Sequence, residues 1–109
     1  AQFFENFDVL LCPCAHVPAF PHDHTPSMGD RTLRVNDEEH PYTRILRWAG
    51  LTLNAYLPVT AVPVGSTKGG LPIGLQVVAP FLGDKTALAV ARLIEQSQAQ
   101  FKGPDQYSE

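Results

Sequence analysis

Val59-Thr-Ala-Val-Pro-Val-Gly65, Ser66-Thr-Lys-Gly-Gly70 and Leu71-Pro-Ile-Gly-Leu-Gln-Val-Val-Ala-Pro80 follow one another without a break. They read as two apolar strands, 59–65 and 71–78, joined by a small glycine-rich turn. Each strand carries a proline and a glycine, residues that weaken a central strand by removing a donor or a side chain. A hairpin that keeps both on each side of its turn has a packing reason for them.

Outward from the hairpin, the pattern continues as α/β. Toward the C-terminus, Phe81-Leu82-Gly83 is a turn, and Asp84 is placed to N-cap a helix over 84–100. Ala87, Leu88, Ala91, Leu93 and Ile94 form its inner side, Gly103-Pro104 stops it, and 102–109 reads as a frayed tail. Toward the N-terminus, Asp37-Glu38-Glu39 puts negative charge where a helix would begin, Pro41 suits its first turn, and the helix runs over 42–54 until Pro58. Ile45, Trp48, Ala49 and Thr52 share one face of it. Residues 14–36 hold Pro18, Pro21 and Pro26 and three of the four histidines, and read as a long irregular loop. Before it, Val9-Leu-Leu-Cys12 is an apolar run ended by Pro13, suited to a strand buried on both faces, and Ala1 to Phe7 reads as a helix end. Three strands make a thin sheet with open edges, which independent domains avoid.

The 109 residues are one domain or a piece of one, with 44% apolar and 17% charged residues. That charge fraction lies below the usual quarter or so, as for a chain whose faces are covered by something else. Net charge is −3 and no Lys/Arg block occurs, which argues against nucleic acid as a partner. No apolar run reaches the roughly 18 residues of a membrane span. Ala1 to Leu11 lacks the basic start of a signal peptide, and the chain begins without Met, which reads as a piece of a longer parent. Cys12 and Cys14 sit two apart on a strand, too strained to bridge, and fit free thiols in a reducing cytoplasm.

Several segments resemble consecutive elements of the amidase signature family, in its order and spacing. These are Phe7-Asp-Val-Leu-Leu-Cys-Pro13, Ala19-Phe-Pro21, Leu57-Pro-Val-Thr-Ala-Val-Pro-Val-Gly65, Gly70-Leu-Pro-Ile-Gly-Leu-Gln76, and the closing helix from Phe81 to Ile94. Together they cover most of Phe7 to Glu95. The hairpin carries the specific part of the match. Tyr56 is a departure, since many relatives have glycine before the Leu-Pro. The resemblance implies the C-terminal portion of an α/β/α enzyme that hydrolyses carboxamides through an acyl-serine, using a nucleophilic serine, a second serine in a cis peptide, and a lysine base. A lysine takes that proton only when its pKa is depressed, and the second serine relays it. It implies no cofactor, an amide substrate, and the rest of the amidase chain as partner. Ser27, Ser66, Ser97 and Ser108 stand in no Gly/Ser-rich signature, and the lysines are only Lys68, Lys85 and Lys102. No catalytic residue of the family is therefore carried over, and the chain alone is expected to be inactive. Phe20, Tyr42, Trp48 and Tyr56 are the pocket candidates, though core filling is the more ordinary reading of Trp48 and the other three share the ambiguity.

Other constellations stand beside this one. Lys68-Gly69-Gly70 invites a phosphate loop, but lysine precedes the glycines and no Ser/Thr opens a helix after them. Cys12, Cys14, His22 and His24, with His16 and Asp23 nearby, supply zinc-type donors without finger spacing, and read otherwise as small buried hydrophobes and a surface loop. A cysteine nucleophile paired with His16 or His22 lacks an orienting third group. From a different class, the chain reads as a small interaction module that dimerises through open sheet edges.

Overall fold

A computed structural model of the chain describes residues 2–25, 27–98 and 101–103. In chain order its strands and helices are β1 (Leu10–Pro13), β2 (Thr32–Val35), β3 (Glu38–Pro41), α1 (Arg47–Leu53), β4 (Val59–Ser66), β5 (Pro72–Val78) and α2 (Asp84–Ser97). Single 3₁₀ segments, Gln2–Glu5 and Tyr42–Leu46, precede β1 and α1. The architecture is α/β. An antiparallel sheet has the order β1-β5-β4, and β2 with β3 forms a separate two-stranded sheet.

The prolines account for that order. Central β5 must bond to both neighbours, so it tolerates proline only at its start, which is where Pro72 lies. Pro13 and Pro63 fall on the two edge strands, where one side of the backbone needs no partner. The β4–β5 register shifts between Pro63 and Gly65, and Gly65 takes a φ of +153° beside this irregularity. The hairpin closes through Thr67 N–H to the Leu71 carbonyl at 2.8 Å and Gly70 N–H to the Thr67 carbonyl at 3.0 Å. Gly70 has φ +84°, so its glycine serves a strand-to-strand turn. Gly74 has a different reason. A Cβ built there would lie 3.2 Å from the Cys14 Sγ, because the chain leaving β1 passes close over β5.

α2 covers one face of this sheet. Ala87 and Ala91 bury against Val62, Val77 and Ala79, with Val9, Val64, Leu75, Val90 and Ile94 around them. Val77 and Val78 are both wholly buried, and successive strand residues face opposite ways, so β5 is covered on both sides at this end. Burying a valine of this kind contributes roughly 1.5–3 kcal/mol. Gln76, also buried, donates from Nε2 to the Pro13 carbonyl at 2.8 Å and ties the end of β1 down.

Several expectations are corrected. The irregular loop placed at 14–36 ends earlier, because Thr32–Val35 is β2. The acidic 37–39 segment does not open a helix. Asn36 and Asp37 take φ +49° and +71°, and Val35 pairs with Glu38, so they form a two-residue hairpin turn of the kind that suits strand twist. The expected helix 42–54 is a 3₁₀ turn followed by α1, with Thr52 buried, Ile45 and Trp48 half-buried and Ala49 exposed. β1 is an edge strand with Leu11 49% exposed, not a strand buried on both faces. The N-terminal helix end is one 3₁₀ turn, and Ala1 lies outside the described residues. Gly83, not Asp84, is the N-cap of α2, and Leu88 and Leu93 face outward. The helix is described to Ser97; Ala99 and Gln100 lie outside the described residues, as does the tail from 104 on.

Tyr56, in the connection from α1 to β4, is 82% exposed with φ +51°. That backbone state favours glycine, the residue expected there in many relatives, because a Cβ crowds the following carbonyl.

Two stability measurements follow from these contacts. Gly74→Ala should destabilise the chain by about 1 kcal/mol through overpacking against Cys14, and Cys14→Ala should largely suppress that loss. Equal losses in both backgrounds, measured by denaturant titration, would refute the close approach. Tyr56→Gly should be more stable than Tyr56→Ala by about 1 kcal/mol, since only glycine relieves the left-handed backbone. Matching melting curves for the two variants would contradict it.

Candidate functional site

The β2–β3 hairpin forms one side of a cleft. Thr32 pairs with Pro41 at its open end, and one step further Tyr42 N–H donates to the Arg31 carbonyl at 3.0 Å. Residues opposite one another across an antiparallel pair share a face, so Arg31 and Tyr42 are held side by side. The Phe20–His24 segment runs past them. Phe20 meets Tyr42 edge-on, with ring centroids 6.1 Å apart and planes at 82°. Together with Pro21, His22, Asp23, His24, Arg31 and Thr32 they enclose about 180 Å³. His22 and His24 also meet edge-on, at 5.6 Å, and Asp23 Oδ1 accepts from Thr25 N–H at 3.0 Å.

The other candidates lie apart from this cleft. Trp48 rests against His16, with centroids 6.0 Å apart and planes at 39°. His16 and Cys14 line a second cavity of about 330 Å³ with Pro72, Ile73 and Gly74. His16 Nδ1 is buried without a hydrogen-bond partner, and elsewhere Arg44 Nε is too. Arg44 Nη1 meets His40 Nδ1, and His40 Nε2 lies 3.5 Å from Glu38 Oε2. Tyr56 projects from the α1–β4 connection and lines neither cavity.

Of the four pocket candidates, then, the fold joins Phe20 with Tyr42 and leaves Trp48 and Tyr56 elsewhere. Arg31 and Thr32 were missed. The signal for them was the alternation on either side of Asn36-Asp37, two residue types that tolerate positive φ. Counting back from that turn pairs Arg31 with Tyr42.

Cys12 and Cys14 are free thiols. Burial pushes both above the ordinary thiol range, and at Cys12 the neighbouring Cys14 adds to the shift. A thiol held protonated is a poor nucleophile, so neither cysteine is activated for attack. Among the described residues, no three His, Cys, Asp or Glu side chains converge in a way that could hold a metal ion, so Cys12, Cys14, His22 and His24 do not form one donor set. The serine hydroxyls have local partners: Ser27 Oγ donates to Asp30 Oδ2 at 2.6 Å, and Ser97 Oγ to the Ile94 carbonyl at 3.1 Å. Ser66 ends β4 at the surface, and Ser108 lies outside the described residues. No helix among the described residues is long and apolar enough to cross a membrane.

A family model described as Amidase matches residues 1–88. A glutamyl-tRNA(Gln) amidotransferase subunit of Gluconobacter oxydans is 35% identical over 96 residues, 88% of this chain and 17% of that protein. The same amidotransferase subunit from Thermosynechococcus vestitus is 37% identical over 97 residues, 89% of this chain and 18% of that one. Fatty acid amide hydrolase from Medicago truncatula is 33% identical over 95 residues, 86% of this chain and 15% of that protein. The chain spans less than a fifth of the length of each of these relatives. With β1, the β4–β5 hairpin and the start of α2 all inside the matched stretch, this chain belongs to the amidase signature family.

Proposed function

We propose that the chain is the C-terminal structural and pocket-wall portion of an amidase that hydrolyses carboxamide C–N bonds through an acyl-serine intermediate. The family match over residues 1–88 carries this reading, and relatives named as an amide hydrolase and an amidotransferase subunit support its chemistry. In the intact enzyme the nucleophilic serine, its serine relay and the lysine base come from the rest of the amidase chain. This portion supplies the β1-β5-β4 sheet and α2 as a rigid support, and Phe20 and Tyr42 as apolar walls that orient the substrate and exclude water. Trp48 and Tyr56 serve packing and surface roles in that division. The same reading takes Cys12 and Cys14 as free thiols in a reducing cytoplasm.

The full-length gene product should release chromophore from an acyl anilide, with turnover lost on blocking its serine, while the 109 residues alone give none above buffer. Serine-dependent turnover by this chain alone would overturn the assignment.

A second reading has its own observation. β1 and β4 each leave one side of their backbone unpaired, and Leu11 and Val59 are exposed on them. Open apolar edges recruit further strands, so the chain by itself is proposed to self-associate. Sedimentation velocity over a hundredfold range of concentration should show a growing dimer fraction; a compact monomer throughout would dismiss this.

A further inference from the structure

The two open edges of the β1-β5-β4 sheet differ in what they offer a further strand. Ala79 N–H donates to the Pro58 carbonyl at 3.1 Å, and bonded pairs alternate along an antiparallel ladder. Counted on from Pro58, Thr60 and Val62 turn their backbone groups to β5, while Val59, Ala61 and Pro63 turn theirs outward. Pro63 has no donor to present, so the outward donors of this stretch are those of Val59 and Ala61, both exposed. On β1 the same alternation turns Leu11 and Pro13 outward. Pro13 lacks a donor, and its carbonyl already accepts from Gln76 Nε2 at 2.8 Å. β4 is therefore the edge better able to take a strand.

Beside that edge, between β4 and α2, runs a groove lined by Thr60, Leu88, Arg92 and Glu95 among others. Leu88, Arg92 and Glu95 recur at helical spacing and share one side of α2. Arg92 and Glu95 are the charges of this lining, one of each sign. A surface carrying both signs is complementary to itself under a two-fold axis. Glu95 Oε1 accepts from Phe101 N–H at 3.3 Å, which leaves its second oxygen for such a contact.

We propose that this edge binds a second copy of the chain, β4 against β4, antiparallel about a two-fold axis at Thr60. Val59 of each copy then stands opposite Ala61 of the other, and each pair exchanges both of its hydrogen bonds. A register centred on Ala61 instead sets Val59 against Pro63, which has no donor to return. The pairing also ends itself. Beyond it Pro63 meets Leu57, whose N–H is given to the Thr52 carbonyl at 3.4 Å. The axis keeps both α2 helices on one face of the joined sheet, antiparallel, with Arg92 of each copy against Glu95 of the other. This gives the self-association reading above its surface and register, and rests on it.

Sedimentation equilibrium of the 109-residue chain reads the dimer directly, in variants whose circular dichroism matches the parent. Ala61→Pro removes an outward donor, a change that an edge strand tolerates, and should weaken dimerisation at least about tenfold. Leu11→Pro, the same change on the β1 edge, should leave it unaltered. Arg92→Glu should weaken it, and adding Glu95→Arg should restore it. Cross-linking in a Cys12→Ala, Cys14→Ala background reads the register. Facing residues of a non-bonded pair have Cα atoms about 4.5 Å apart, within reach of a disulfide, so Thr60→Cys should link two copies under mild oxidation. A dimer that survives Ala61→Pro, or that does not link through Thr60→Cys, overturns this proposal and leaves self-association standing. Monomer at every concentration removes both.

Discussion

The larger sheet depends on the need of β5 to hydrogen-bond on both sides at once. A strand in that position cannot give up an internal donor, and its one proline is its first residue, Pro72. Pro13 and Pro63 are consequently on β1 and β4, whose outer sides are free. Near the far end of the hairpin the ladder is interrupted between Pro63 and Gly65, and the turn beyond it needs Gly70. At the opposite end the pairing is regular, and there Val77, Val78 and Ala79 are wholly buried and α2 is docked through Ala87 and Ala91. Alanine on the contact face lets helix and sheet approach closely, so a small chain builds a dense core from few large side chains.

The same constraint leaves the sheet unfinished. With β5 already satisfied, the open ladders of this sheet are the outer ones of β1 and β4, and apolar side chains are exposed along them and along the outer stripe of α2 at Leu88 and Leu93. Exposed apolar residues scattered singly need no explanation, but apolar residues on open edges and on a helix stripe together describe surface made for contact. The chain covers under a fifth of the length of the relatives it matches, and on the reading proposed above the rest of an amidase chain would cover that surface.

What could be read from the residues followed how local the cause was. The β4–β5 hairpin was legible because Gly70, Pro63 and Pro72 act through their own backbones, and α2 because alanine and isoleucine recur at helical spacing. The β2–β3 hairpin was not, because two signals competed at one place. Asp37, Glu38 and Glu39 look like a helix start, and that reading hid the tolerance of Asn36 and Asp37 for positive φ. The outward stripe of α2 misled for another reason: Leu88 and Leu93 are as apolar as the residues that do bury, and only the position of the sheet decides which face is inner. At the site, Phe20 and Tyr42 were legible as aromatics near a loop. Their partnership with Arg31 depended on the register of the hairpin that was missed.

That dependence explains how labour is divided along the chain. The residues that hold the fold are on β4, β5 and α2, where any change of volume is felt by close-packed neighbours. The residues that form the cleft come from an irregular segment and a two-stranded hairpin that contribute little to that core. Two strands alone are marginal in water, so the hairpin takes its rigidity from Leu33, which is buried, and from the Tyr42–Leu46 turn that anchors its second strand to α1. Side chains at its open end can therefore change character without disturbing the β1-β5-β4 sheet.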